Sequence, residues 1–110
     1  MMLNMFGSKI KEITLDQFIL DPCKATPGFE FFPKFSKKID LEKLLNKFKL
    51  KKVFIEKNSI PFFITIKHKN SEVTIFSSLK IIIRNVSEED SAIQILKDIL
   101  VIINNVILQR

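Results

Sequence analysis

A lone histidine, a lone cysteine and a few neighbouring carboxylates are the residues of this chain best equipped for bond chemistry. His68 stands in the run KHKN between Lys67 and Lys69. A catalytic or metal-binding imidazole needs a nucleophile, a carboxylate or further ligands at fixed spacing. No sequence context supplies them, so His68 reads as a loop residue at a hairpin tip. Cys23 sits in a proline-flanked loop beside Lys24. The neighbouring ammonium favours a thiolate, whereas a loop cysteine without a partner is inert, and the second reading is the simpler. Being alone, it excludes an intramolecular disulfide and gives no metal-ligand spacing, which fits a reducing, cytoplasmic setting. Asp16 with Asp21, and Glu88 with Glu89, have the form of paired carboxylates, yet turn formation and helix capping account for both. The chain therefore reads as a non-enzyme, with no catalytic residue, no metal and no cofactor.

Short β-branched and aromatic runs alternate with turn residues from Lys51 to Arg84, the pattern of half-buried strands. The spacing predicts a strand over 29–35, a helix over 40–49, strands over 51–56, 62–68, 72–76 and 80–84, and a long helix from 88 to about 104. In the first helix Leu41, Leu44, Leu45 and Phe48 recur at the spacing of a face laid on a sheet, leaving Lys43, Lys47 and Lys49 outside. Ser87 is read as the N-cap of the second helix, with Glu88, Glu89 and Asp90 at the positive end of its dipole. Helices on one face of a curved antiparallel sheet make a two-layer α+β fold. Upstream, Thr14 to Gln17 reads as a capping box opening a short helix, while KIKEITL (9–15) alternates as a strand does; both alternatives stand. The loop 21–28, DPCKATPG, hands over from an N-terminal extension (1–27) to a single α/β unit (28–110).

At 110 residues and 46% hydrophobic content the chain is long enough for one core and too short for two. MMLNMFG has no basic region before it and does not read as a signal peptide. The most apolar stretch, IQILKDILVIINNVIL, is interrupted by Lys97, Asp98, Asn104 and Asn105 and is too polar to span a bilayer. The expectation is a soluble cytoplasmic protein without a membrane partner.

Three runs, IPFFITIK (60–67), TIFSSLKIIIRN (74–85) and SEEDS (87–91), together with FSKKIDLEKLL (35–45), resemble one repeat of the TATA-box-binding protein family, which normally carries two in tandem. Ile75, Phe76, Ser78, Lys80 and the residues 87–91 fall on that pattern in order. The resemblance implies a TBP-like half saddle whose open sheet face grips the minor groove of duplex DNA, with two apolar wedges per repeat that unstack bases. Phe76 matches the second wedge and Ile60 stands at the first. Lys80, Arg84, Lys67 and Lys69 would contact phosphates. The implied strand phase points Gly28, Glu30, Phe32, Ile60, Phe62, Ile64, Ile66, His68, Glu72, Thr74, Phe76, Lys80, Ile82 and Arg84 away from the helices. Gly28 falls where the family has a groove-reading Asn, Ile66 where it has an Arg, Arg84 where it has a Thr, and Leu79 where it has a turn Gly. Glu30 and Glu72 would both face phosphate.

The net charge of +6 suits nucleic acid. Its densest cluster, however, is Lys34, Lys37, Lys38, Lys43, Lys47, Lys49, Lys51 and Lys52, on or beside the first helix and away from the open face. Lysines give salt-sensitive, sequence-blind attraction; a solvated, solubilising helix face is the plain alternative. Two functions of different class follow. One is a nucleic-acid-binding module, used singly or as a homodimer that rebuilds a saddle. The other is a protein-interaction or dimerisation module whose apolar sheet is covered by the extension, a second copy or another protein. An apolar open face and an apolar last helix lead to the expectation of a homodimer.

Overall fold

The computed structural model describes residues 12–24 and 26–108; residues 9–11 of the alternating run and the apolar start 1–7 lie outside them. Six strands, β1 (Phe18–Pro22), β2 (Gly28–Pro33), β3 (Phe54–Ser59), β4 (Phe63–His68), β5 (Ser71–Phe76) and β6 (Ile81–Arg84), form one open antiparallel sheet in the order β1-β2-β6-β5-β4-β3. Helix α1 (Leu41–Leu50) connects β2 to β3, and α2 (Glu89–Ile107) follows β6. Both helices pack on one face of the sheet in a single core, the two-layer α+β arrangement that the periodicity predicts. Leu44, Phe48, Leu96, Ile99 and Ile103 of the helices meet Phe31, Ile64, Ile66, Val73, Ile75, Ile81 and Ile83 of the sheet, all fully buried. Burying such a side chain contributes roughly 1.5–3 kcal/mol, so this contact layer supplies most of the driving force for folding.

Local chemistry sets the element ends. The Asp40 carboxylate accepts hydrogen bonds from the Glu42 and Lys43 N–H groups at 3.0 and 3.2 Å, so it caps α1 instead of opening it. Ser87 does not cap α2: the N-cap is Glu88, which makes no side-chain cap bond, and Glu89 and Asp90 fill the first turn. The β4–β5 hairpin turns at Lys69 and Asn70, both at positive φ (51° and 68°), as a two-residue hairpin loop requires. Leu79, at φ 73°, adopts the left-handed conformation where a turn glycine would be at ease. Its side chain is fully buried, and that burial offsets the backbone strain.

The extension combines features of both alternatives. Thr14 N–H donates to Gln17 Oε1 at 2.8 Å, the return arm of the expected capping box, but the box closes only a 3-10 turn, Leu15–Gln17. A strand comes next, β1, which pairs with β2 from Phe18↔Pro33 to Pro22↔Phe29. A buried amide fastens the segment to the core: Ile13 N–H donates to Asn104 Oδ1 at 2.7 Å, and Asn104 Nδ2 donates back to the Ile13 carbonyl at 2.9 Å.

Candidate interaction face

The face of the sheet turned away from the helices is built as three cross-strand rows. Phe54, Lys67, Glu72, Arg84 and Gly28 make the first; Lys57, Thr65, Thr74, Ile82, Glu30 and Asp21 the second. The third runs from Ser59 through Phe63 and Phe76 to Lys80, opposite Phe76, and on to Phe32 and Ile19 on the far side. Alternation along each strand puts these side chains on one side.

This phase agrees with the family-derived one on β2, β5 and β6 and corrects it on β4. Ile64 and Ile66 are fully buried under the helices, and Phe63, Thr65 and Lys67 take the open side. The reason is a turn, closed by Phe62 N–H donating to the Ser59 carbonyl at 2.7 Å, because alternation counted from Ile60 does not survive a turn. Ile60 itself, expected as the first wedge, packs against the core. It lines a cleft with Ile39, Asp40 and Leu41 at the start of α1. His68 and Lys69, also expected on or beside the open face, reach the other way. His68 Nε2 lies 2.9 Å and Lys69 Nζ 3.2 Å from Asp98 Oδ2 on α2. The expected site residues Phe76, Lys80, Arg84 and Lys67 do share the open face. Phe63, Thr65, Lys57 and Ile19 join them, and only the apolar–polar alternation of ITIK (64–67) signalled any of these in advance.

The face is mixed in character, not largely apolar. The Lys80 ammonium sits 5.0 Å from the Phe32 ring centroid and 5.6 Å from that of Phe76, and 3.9 Å from Glu30 Oε1. Phe76 packs on Phe63 at 5.7 Å between centroids. Arg84 reaches Glu72 at 4.0 Å, and the Thr65 and Thr74 hydroxyls share a hydrogen bond of 2.9 Å. Beside the aromatic row a groove of about 470 Å³ runs between Glu56, Lys57, Phe63, Thr65, Glu72, Thr74, Phe76 and Arg84. Among the described residues, the three rows and the groove beside them carry four cations (Lys57, Lys67, Lys80, Arg84) and four carboxylates (Asp21, Glu30 and Glu72 in the rows, Glu56 in the groove). Gly28 has a packing reason of its own: a Cβ there would lie 2.4 Å from the Ile83 carbonyl oxygen, so no side chain fits at that position without displacing β6.

Two further groups settle into structural surroundings. Burial, then the Glu30 carboxylate beside it, pushes the Cys23 thiol up from its ordinary value, which favours the unreactive protonated form over the thiolate that Lys24 suggested. The hydrogen bond from His68 holds the Asp98 carboxyl below the usual carboxylate range, helped by Lys69 and Gln94 against the opposing effect of burial. Among the described residues no three His, Cys, Asp or Glu gather at metal-binding distance, and no helix is long and apolar enough to cross a membrane. Comparison with family profiles, with curated proteins and with solved structures finds no match for the chain.

Proposed function

We propose that this chain is a non-enzymatic, single-repeat TBP-like module whose open sheet face docks a protein surface, with a second copy of the chain as the occupant. The carrying observation is the balance of the face: four cations against four carboxylates, with Lys80 and Arg84 already facing Glu30 and Glu72. A phosphate-lined duplex meets no net attraction there, and two acids would be pressed against it. A surface carrying both signs in equal number suits pairing with its own copy about a two-fold axis, and the row of Phe63, Phe76 and Phe32 supplies the apolar centre that such an interface needs. Six strands spaced by about 4.8 Å and about 20 Å long present on the order of 500 Å² of flat face, small for a permanent dimer. The association is therefore weak and concentration-dependent.

A nucleic-acid reading of the same face is supported by one feature, the cation held between the rings of Phe32 and Phe76, a geometry that also suits stacked bases. Sedimentation velocity over a range of protein concentrations separates the two readings. Wild type should shift from monomer to dimer as concentration rises, Phe76→Glu should stay monomeric, and neither should bind short duplex or single-stranded DNA through this face. A wild type that remains monomeric throughout refutes the docking proposal. Duplex binding that Phe76→Ala abolishes, in a variant that melts normally, establishes the nucleic-acid reading in its place.

A further inference from the structure

The whole net charge of the chain resides in one segment. Residues 34–52 hold eight lysines against Asp40 and Glu42, a net of six positive charges, equal to that of the full chain, so the remaining residues are balanced. Asp40 is committed to capping α1. Among the described residues Lys37, Lys38, Lys43, Lys49, Lys51 and Lys52 make no ion pair, and all six are exposed. The fold gathers them. The buried stripe Leu41, Leu44, Leu45 and Phe48 turns the opposite side of α1 outward, and ten residues of helix span about 15 Å. Lys37, Lys38 and Lys43 ring a cleft of about 240 Å³ floored by Ile39, Val106 and Ile107 at one end of this side. At the other end the chain leaves the helix through Lys51 and a left-handed Lys52. Concentrated like charge repels itself and destabilises the folded state, while solubility alone is served by charges of both signs interspersed.

We propose that this basic side of the molecule, on the far side of the helix layer from the open sheet face, binds the sugar-phosphate backbone of nucleic acid without reading its sequence. Lysine is the residue for that task. An ammonium meets phosphate as a point charge, whereas base edges and bidentate phosphate recognition call for arginine, and the segment has none. An anionic lipid surface is the competing polyanion, but insertion needs apolar area. The segment exposes one large apolar side chain, Leu50, which is too little for an anchor.

Fluorescence anisotropy of a labelled short DNA duplex with the full chain, between about 50 and 200 mM salt, tests this. One variant carries Lys37→Gln, Lys38→Gln, Lys43→Gln and Lys51→Gln. A second removes the same charge elsewhere through Lys9→Gln, Lys11→Gln, Lys24→Gln and Lys97→Gln, none of them in residues 34–52 or in the rows of the open face. A third replaces the first set by arginine. With about 0.9 in slope of log affinity against log salt for each phosphate contact, the first variant should lose roughly 3 to 4 in slope and about 100-fold or more in low-salt affinity. The second should change affinity severalfold at most and the third should bind as wild type; the first should melt no lower than wild type, since it relieves like-charge repulsion, and the other two as wild type does. Equal losses in the first and second variants, absence of wild-type binding at low salt, or failure of the arginine variant overturns the proposal. So does patch-dependent binding to phosphatidylserine-containing vesicles in a protein that ignores the duplex.

Discussion

The two faces of the same sheet obey different rules, and strand β4 shows both within four residues. Ile64 and Ile66 point under the helices and are fully buried, while Thr65 and Lys67, their immediate neighbours, belong to the open face with its threonine pair, ion pairs and groove. On the covered side, position in the strand fixes what is tolerated, because a close-packed interior penalises the cavity left by a smaller side chain and the lost hydration of an unpaired polar one. On the open side, neighbouring side chains compensate one another: Lys80 lies between two rings and a carboxylate, and Arg84 lies near Glu72. Buried apolar packing is thus concentrated on one face, and the ion pairs, ring contacts and groove lie on the other.

The largest effect expected from this contrast lies within β4. Ile66→Ala should cost about 2–5 kcal/mol, the range for a truncated core residue, and Lys67→Ala should stay within about 0.5 kcal/mol, as read from urea unfolding of the two variants. Comparable costs at both positions would dissolve the distinction between the faces and restore the other strand phase. A smaller effect is expected where the extension is tied down. Asn104→Ala leaves the buried Ile13 N–H and carbonyl without partners, a loss of about 1–3 kcal/mol. Hydrogen exchange should show β1 amides losing protection ahead of β4 and β5; uniform loss across the sheet would mean that the clamp acts on the core as a whole.

The smallest effect sits at the sheet's rim, where Asp98 on α2 meets His68 and Lys69. A carboxylate whose folded pKa is depressed adds stability that is complete above its unfolded pKa and is lost as pH falls through the folded one. The advantage of wild type over Asp98→Asn should hold near neutrality and shrink below about pH 4, and Asp98 is exposed enough for the difference to stay a fraction of a kcal/mol. Thermal melts of both proteins at acid and neutral pH check the sign: an advantage that grows on acidification would contradict the pairing.

Much of this architecture is legible in the residues themselves. The stripe Leu41, Leu44, Leu45, Phe48 marks α1 and its buried side. The alternation of ITIK carries the correct phase of β4, whereas the count from Ile60 does not, since it passes through the turn at 60–62 that Asn58, Ser59 and Pro61 signal. The capping box of the extension was readable because Thr14 and Gln17 are three residues apart. The strand that follows it was not, because its pairing with β2 is a tertiary contact. On the open face, Phe76, Lys80, Arg84 and Lys67 were within reach of sequence reasoning. Which carboxylate each cation meets was not, because the partner is set by cross-strand register: Glu72 faces Arg84 from the neighbouring strand, and Glu30 comes to Lys80 from β2, far away in the chain.

The sequence by itself determined the α+β class, the element order from β2 onward, and the concentration of positive charge around α1, since periodicity and composition are local properties of the chain. Which side chains share a face, that β1 covers the free edge of β2, and that the open face is electrically balanced were decided only by tertiary structure. These depend on cross-strand register, which is fixed by packing across the whole sheet, including the pairing of β2 with the distant β6.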